Sequence, residues 1–278
     1  MNAGDRWRVA LEARAIPQAL IDAAPESPWG FPRELFEARG ARVIDRSVEV
    51  SPTTDRAMEA TPEGGSVLDV GVGGGATSLP LATQAGTIIG VDGQPDMLDA
   101  FTSTATAAGV RAVPVAGRWP DVAPRVPSAD VVMSGHTIYN VADLVPFILA
   151  LRDHARHRVV LEATDRHPLG WMADLWRTFH GLDIPDEPRV ELALEVMHSV
   201  GIEPMRQDRA AGDDDPAGGG FTTREAAVAL IRTRLCMQPE DDAAIANALG
   251  SRLRLRNGRW SAGPHERTVV TLWWDPTG

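Results

Sequence analysis

The chain has 278 residues, 44% of them hydrophobic and 23% charged, a balance ordinary for a soluble globular enzyme. A formal net charge of −11 argues against a protein that must neutralise many phosphates, so nucleic acid is not an expected partner. No apolar run approaches the roughly 20 residues that a membrane-spanning helix requires, so no membrane partner is expected.

Met1 to Ala10 is polar and charged, without the apolar stretch of a signal peptide. Cys236 is the only cysteine, which excludes an intrachain disulfide and fits a reducing cytoplasm. All 27 basic residues are arginine, which reads as codon composition rather than chemistry.

Residues 1–60 read as an N-terminal helical cap. Apolar positions fall at helical spacing in Trp7–Ala15 and again over Arg33–Arg46. Between them the prolines and glycine of Pro25–Pro32 mark a loop. Residues 61–278 form the main domain. There, short β-branched runs at Ser66–Val70, Thr87–Asp92, Arg111–Val115, Ala129–Ser134 and Arg158–Thr164 alternate with helical stretches, the pattern of a parallel sheet built from βαβ units. Pro114 lies inside the third run, which places that strand at a sheet edge, as a doubly wound order 3-2-1-4-5 requires.

Beyond the fifth strand the sequence predicts helices over Leu169–His180 and Glu191–Val200 and a strand over Ile202–Arg209. A helical insertion follows at about 212–256: the Gly212–Gly220 loop, then helices at Thr223–Leu235 and Pro239–Leu249. The basic run Arg252–Arg259 carries an Asn257-Gly258 turn, and Arg267–Trp274 closes the chain as a strand.

The informative segment is Val67-Leu68-Asp69-Val70-Gly71-Val72-Gly73-Gly74-Gly75, expected to open a helix from about Ala76. Such a strand-to-turn junction lets backbone approach a ligand closely. Gly71, Gly73 and Ala76, with Asp92 further on, also satisfy a dinucleotide fingerprint, so a nicotinamide-dependent oxidoreductase is the alternative enzyme. Asp69 separates the two. S-adenosylmethionine carries a sulfonium and an ammonium and no phosphate, so an acidic group beside the turn suits it and would repel a pyrophosphate. A leader of about 65 residues before the glycine strand is also unlike many dinucleotide folds. A non-catalytic module that retains cofactor binding is a third reading.

Residues 67–82 (VLDVGVGGGATSLPLA) resemble the first motif of class I S-adenosylmethionine-dependent methyltransferases, and residues 88–98 (IIGVDGQPDML) the second. The strand Asp130–Gly135 and the following His136-Thr137-Ile138-Tyr139-Asn140-Val141 fall where the family has its fourth. The resemblance implies a doubly wound, Rossmann-like α/β fold with seven strands ordered 3-2-1-4-5-7-6 and the last strand antiparallel. It implies Asp69, Gly71, Gly73 and Gly75 around the methionine moiety and Asp92 on the ribose. Gly93 lies beside them, Met97 is placed to cover adenine, and Ser134 ends the fourth strand.

Two departures are visible. Where many relatives carry an acidic adenine contact, this chain reads Gly117-Arg118-Trp119, with Trp119 placed to stack and the Arg118 backbone to serve. Before the fifth strand it reads His154-Ala155-Arg156-His157 in place of a Lys-Pro-Gly-Gly turn. The departures suggest a divergent subgroup resembling actinobacterial members.

Methyl transfer needs in-line positioning, and a base only when the nucleophile has a proton to lose. His136 is the first candidate base because histidine titrates near neutrality, with Tyr139 beside it as a second catalytic candidate. Trp29, Phe31, Asn140 and Trp171 are candidates for binding a small-molecule acceptor, the first two as a lid. Glu162 and Asp165, at the end of the fifth strand, could bind a substrate amine or be satisfied by arginines. The histidine spacing gives no metal site, and an apolar leader helix could serve a homodimer.

Overall fold

The computed structural model describes residues 1–30, 51–211, 220–256, 258–264 and 266–276. The expected helix Arg33–Arg46, Phe31 and all but the last residue of the Gly212–Gly220 loop lie outside them.

Seven strands form one sheet: β1 (Gly65–Val70), β2 (Ala85–Asp92), β3 (Arg111–Ala116), β4 (Ala129–Gly135), β5 (Ala155–Thr164), β6 (Met205–Ala211) and β9 (Arg267–Trp274). Their order is β3-β2-β1-β4-β5-β9-β6, with β9 antiparallel to both neighbours and the first five strands parallel. This is the expected order, the final strand of the chain slotting between the fifth and sixth. Pro114 sits on β3 at the edge, where its missing N–H breaks no ladder. The basic run forms a separate hairpin, β7 (Leu253–Arg256) and β8 (Arg259–Ala262), with Gly258 at φ +73° in its turn.

Helices cover both faces. On one lie α1 (Ala3–Glu12), α5 (Leu144–His154) and α7 (Val190–Ser199). They pack over Leu68, Val70, Val132, Val159 and Leu161. On the other lie α3 (Pro52–Ala60) and α4 (Pro95–Ala107), over Val67, Ile88, Val131, Met133 and Val160. A further apolar core joins α2 (Gln18–Ala23), α6 (Ala173–His180), α8 (Arg224–Arg234) and α9 (Asp242–Leu249) through Leu20, Leu175, Ile231 and Ile245.

One expected helix is missing. After the glycine turn the chain runs through turns into a short 3-10 stretch, Leu79–Thr83, rather than an α-helix from Ala76. Pro80 is the cause: it offers no N–H to the carbonyl of Ala76, and it disfavours the α conformation at Leu79. The stretches expected as one helix at Leu169–His180 and at Pro239–Leu249 each begin as a 3-10 turn.

Strand parity positions the site. Successive side chains alternate faces, so Asp69 lies on the face of Val67 and Glu162 on the face of Val160, the side covered by α3 and α4. Asp69 aligns with Gly90 and Met133. One step further along the same face lie Asp92, Gly135 and Glu162, at the carboxyl ends of their strands.

Candidate functional site

The turn after β1 is built around left-handed glycines. Gly71, Gly73 and Gly75 have φ of +75°, +50° and +84°, conformations that side chains resist. A Cβ on Gly71 would also meet Thr137 Oγ1 at 2.3 Å, so the turn and the segment after β4 interlock. Asp92 fastens the turn from the side: its carboxylate accepts the Gly73 N–H at 3.0 Å and the Gln94 N–H at 2.9 Å. Gly93 next to it is exposed, with open space where a side chain would stand. Met97 is buried in the first turn of α4.

Asp69 is the anomaly. It is 1% exposed, and neither carboxylate oxygen has a hydrogen-bond partner. Burial pushes its pKa up to about 7; the neighbouring Ser78 hydroxyl opposes this, and the negative charges of Asp92 and Glu162 add to it. A buried carboxylate without a partner is costly, and the group that would satisfy it is a cation. The residues present therefore fit the ammonium and sulfonium of S-adenosylmethionine. The turn also lacks the helix N-terminus that favours a pyrophosphate.

At the end of β4, His136 adopts φ +55°, a left-handed conformation rare outside glycine. Its N–H donates to the Glu162 carbonyl at 2.7 Å, and its Nε2 lies 2.9 Å from Glu162 Oε1. Thr53, at the start of α3, donates to Glu162 Oε2 at 2.6 Å and contacts Thr271 Oγ1 of β9 at 2.8 Å. Among the described residues Glu162 thus meets a histidine and a threonine. Asp165 has an arginine beside it, Arg166 at 3.6 Å.

Several candidates belong to the scaffold instead. Tyr139 is 4% exposed, stacks on Trp7 with ring centroids 5.7 Å apart, and donates its hydroxyl to the Thr164 carbonyl. Burial holds its pKa above the ordinary value. The catalytic assignment of Tyr139 is therefore corrected to a packing one: an aromatic near a strand end is as readily core as site. Tyr139→Phe is expected to cost about 1 kcal/mol of stability, for the carbonyl left unpaired. Chemical denaturation checks this, and a cofactor affinity unchanged within twofold checks that Tyr139 stands outside the site.

Trp119 is likewise in the core, its indole N–H directed at the Phe147 carbonyl at 3.3 Å and its ring edge-on to His154. Adenine stacking by Trp119 is thus excluded by its packing. Gly117 takes φ +144° and its N–H donates to the Asp92 carbonyl at 2.9 Å, while Arg118 is exposed. Ser134 is buried and donates to the Val70 carbonyl at 2.8 Å, tying β4 to β1.

Trp171, partly buried, packs against the helical core beneath the Arg252 guanidinium, which lies 5.6 Å from its ring centre. Asn140 is exposed at the end of a 3-10 turn. Trp29 is 54% exposed, and Arg234 of α8 donates to the carbonyl of the preceding Pro28. His167, in the turn before α6, is held neutral: burial, with help from Arg14, lowers its pKa to about 3, and its Nδ1 accepts the Leu169 N–H.

Sequence reasoning missed Thr53 and Thr271. Nothing local signals the threonines, which reach Glu162 only through helix packing and the β5–β9 register. Among the described residues no group of three His, Cys, Asp or Glu could hold a metal, and no helix is long and apolar enough to cross a membrane.

The comparisons agree with this fold. Residues 67–157 match the family model described as a methyltransferase domain. Among curated proteins there is no match. Among the solved structures that share the fold are two that overlap most of this chain. A candidate methyltransferase from Bacillus halodurans C-125 has a TM-score of 0.51 at 12% identity, over 82% of this chain and 99% of that one. An S-adenosylmethionine-dependent methyltransferase from Geobacter sulfurreducens, in complex with S-adenosyl-L-homocysteine, has a TM-score of 0.51 at 14% identity, over 85% of this chain and 98% of that one.

Proposed function

We propose that the chain transfers a methyl group from S-adenosylmethionine to an oxygen or nitrogen nucleophile of a small-molecule acceptor, a reading supported by the methyltransferase-domain match over residues 67–157 and by the doubly wound seven-stranded sheet. The observation that carries the cofactor reading is the buried, unpartnered carboxylate of Asp69 at the mouth of a glycine turn. When bound, S-adenosylmethionine supplies a methyl group already attached to a good leaving group, so the protein's work is positioning and exclusion of water.

In this reading Asp69 faces the cationic end of the cofactor. The Gly71–Gly75 turn lets backbone approach the methionine moiety. Asp92 already orders the turn through Gly73, and it keeps lone pairs free for the ribose hydroxyls. Gly93 leaves room beside the ribose, and Met97, in the first turn of α4, serves the adenine. His136, half-exposed at the end of β4, is the base for a nucleophile that must lose a proton. Of the candidate acceptor contacts, Trp29 and Asn140 retain exposed surface. A dinucleotide reading is disfavoured by the same features, since a pyrophosphate would meet a buried carboxylate and no helix N-terminus.

The test is calorimetric titration of Asp92→Ala with S-adenosylhomocysteine. The expected loss is about 1.5–3 kcal/mol, the range for charge-assisted hydrogen bonds, in a variant whose circular dichroism is unchanged. Affinity equal to wild type in that folded variant would remove Asp92 from the site.

A further inference from the structure

Building on the methyl-transfer reading, we propose that Thr271, Thr53 and Glu162 form a directed chain of positioning residues that fixes the His136 tautomer, leaving Nδ1 as the atom that accepts the acceptor's proton.

The direction follows from counting protons. His136 Nε2 stands 2.9 Å from Glu162 Oε1. A nitrogen lone pair and a carboxylate oxygen would repel at that separation, so the proton of the neutral imidazole lies on Nε2. Glu162 Oε2 accepts from Thr53 Oγ1 at 2.6 Å. A threonine hydroxyl has a single proton, so Thr53 cannot also donate across its 2.8 Å contact with Thr271. Thr271 must therefore donate to Thr53. The order is Thr271 to Thr53 and Thr53 to Glu162, with the protonated Nε2 of His136 set 2.9 Å from Glu162 Oε1.

Three separate elements hold this arrangement. Glu162 and Thr271 are directly opposed in the β5–β9 ladder. Thr53 arrives from α3, whose start is fixed by the Ser51 side chain accepting the Thr54 N–H at 3.2 Å. Thr53, Glu162 and Thr271 are buried at 1%, 8% and 2% exposure, whereas the His136 side chain keeps 30%. The exposed member of the chain is thus the one with chemistry to do, and no described residue bonds its Nδ1. Glu162 also receives the His136 backbone N–H through its carbonyl, so the same residue grips both the ring and the left-handed backbone. Strained backbone of this kind persists where its surroundings over-determine it.

In the transfer step the nucleophile forms its bond to the methyl carbon, and the electron pair of the methyl–sulfur bond stays on sulfur. The nucleophile's proton moves to His136 Nδ1. The imidazolium so formed is balanced by the Glu162 carboxylate. The proton then leaves to solvent from the exposed ring edge.

Nitrogen-15 NMR of the histidine rings tests this without an acceptor, the His136 resonances being assigned by their loss in His136→Asn. The expected wild-type result is a neutral ring protonated on Nε2. Glu162→Gln is expected to shift the His136 tautomer ratio towards Nδ1–H, since the carboxylate that favours a proton on Nε2 is gone. Thr53→Val keeps the charge but frees Glu162 to move, so it should shift the same ratio by less, and it carries the test if Glu162→Gln fails to fold. A wild-type ring protonated on Nδ1, or a tautomer ratio unmoved in both variants, overturns the proposal.

Titration of the same proteins with S-adenosylhomocysteine separates the two readings. Failure of wild type to bind overturns the cofactor assignment and leaves the tautomer result standing. Normal binding with an unmoved His136 does the reverse.

Discussion

Asp69→Asn is expected to raise the melting temperature of the ligand-free protein while weakening its grip on S-adenosylhomocysteine. The reasoning rests on the sign of the Asp69 shift. Its pKa rises from 3.8 to about 7 on folding, chiefly through burial. Between those values the folded state holds a proton that the unfolded state has lost, so stability falls as pH climbs from about 4 to about 7 and then levels off. The penalty above pH 7 is on the order of 4 kcal/mol. Asparagine keeps the shape and carries no charge, so it escapes that penalty.

The ligand reverses the balance. An ammonium beside the carboxylate favours the ionised form, so affinity should strengthen from pH 5 to about 7 and then become flat. In Asp69→Asn this pH dependence disappears, and affinity drops by about 1.5–3 kcal/mol. Thermal melts and titrations at three pH values check both halves. A variant with wild-type melting and wild-type affinity would show that the carboxylate is neither strained nor engaged.

Trp7→Ala is expected to destabilise the protein by about 3–5 kcal/mol, the range for removing a large buried aromatic. Trp7 is 0% exposed, stacks on Tyr139, and donates its indole N–H to the Val141 carbonyl at 2.7 Å. It therefore joins α1 to the segment that follows His136, and it shares a core with Val190, Val196 and Leu272. Loss of the ring leaves a cavity and an unpaired carbonyl at once. Urea denaturation should show a lower midpoint with an unchanged slope. A loss under about 1 kcal/mol would mean that α1 adds little to the core.

Much of this fold was legible in the sequence because local physics wrote it there. The β-branched runs became strands, and proline in the third run marked the edge strand correctly. Trp273 and Trp274, adjacent on the closing strand, lie in the cores of opposite faces, as the two-residue period of a strand dictates. The α-helix expected after the glycine turn failed because Pro80 outweighed the strand–turn–helix pattern read around it.

The site was legible only in part. Asp69 and Asp92 announced themselves through their distance from the glycines, which short-range geometry fixes. Tyr139 and Trp119 misled because burial is decided by partners far along the chain: Trp7 for one, the Phe147 carbonyl for the other. The partnership of His136 with Glu162 and Thr53 requires strand register and helix docking together, and a threonine 109 residues from its carboxylate leaves no local trace.

The most direct measurement is calorimetric titration of the wild-type protein at pH 7.5 with S-adenosylhomocysteine, NAD and NADP in parallel. The account predicts micromolar binding of S-adenosylhomocysteine and none of either dinucleotide. Binding of a dinucleotide with no response to S-adenosylhomocysteine would contradict it, because the buried Asp69 carboxylate would then face the wrong charge.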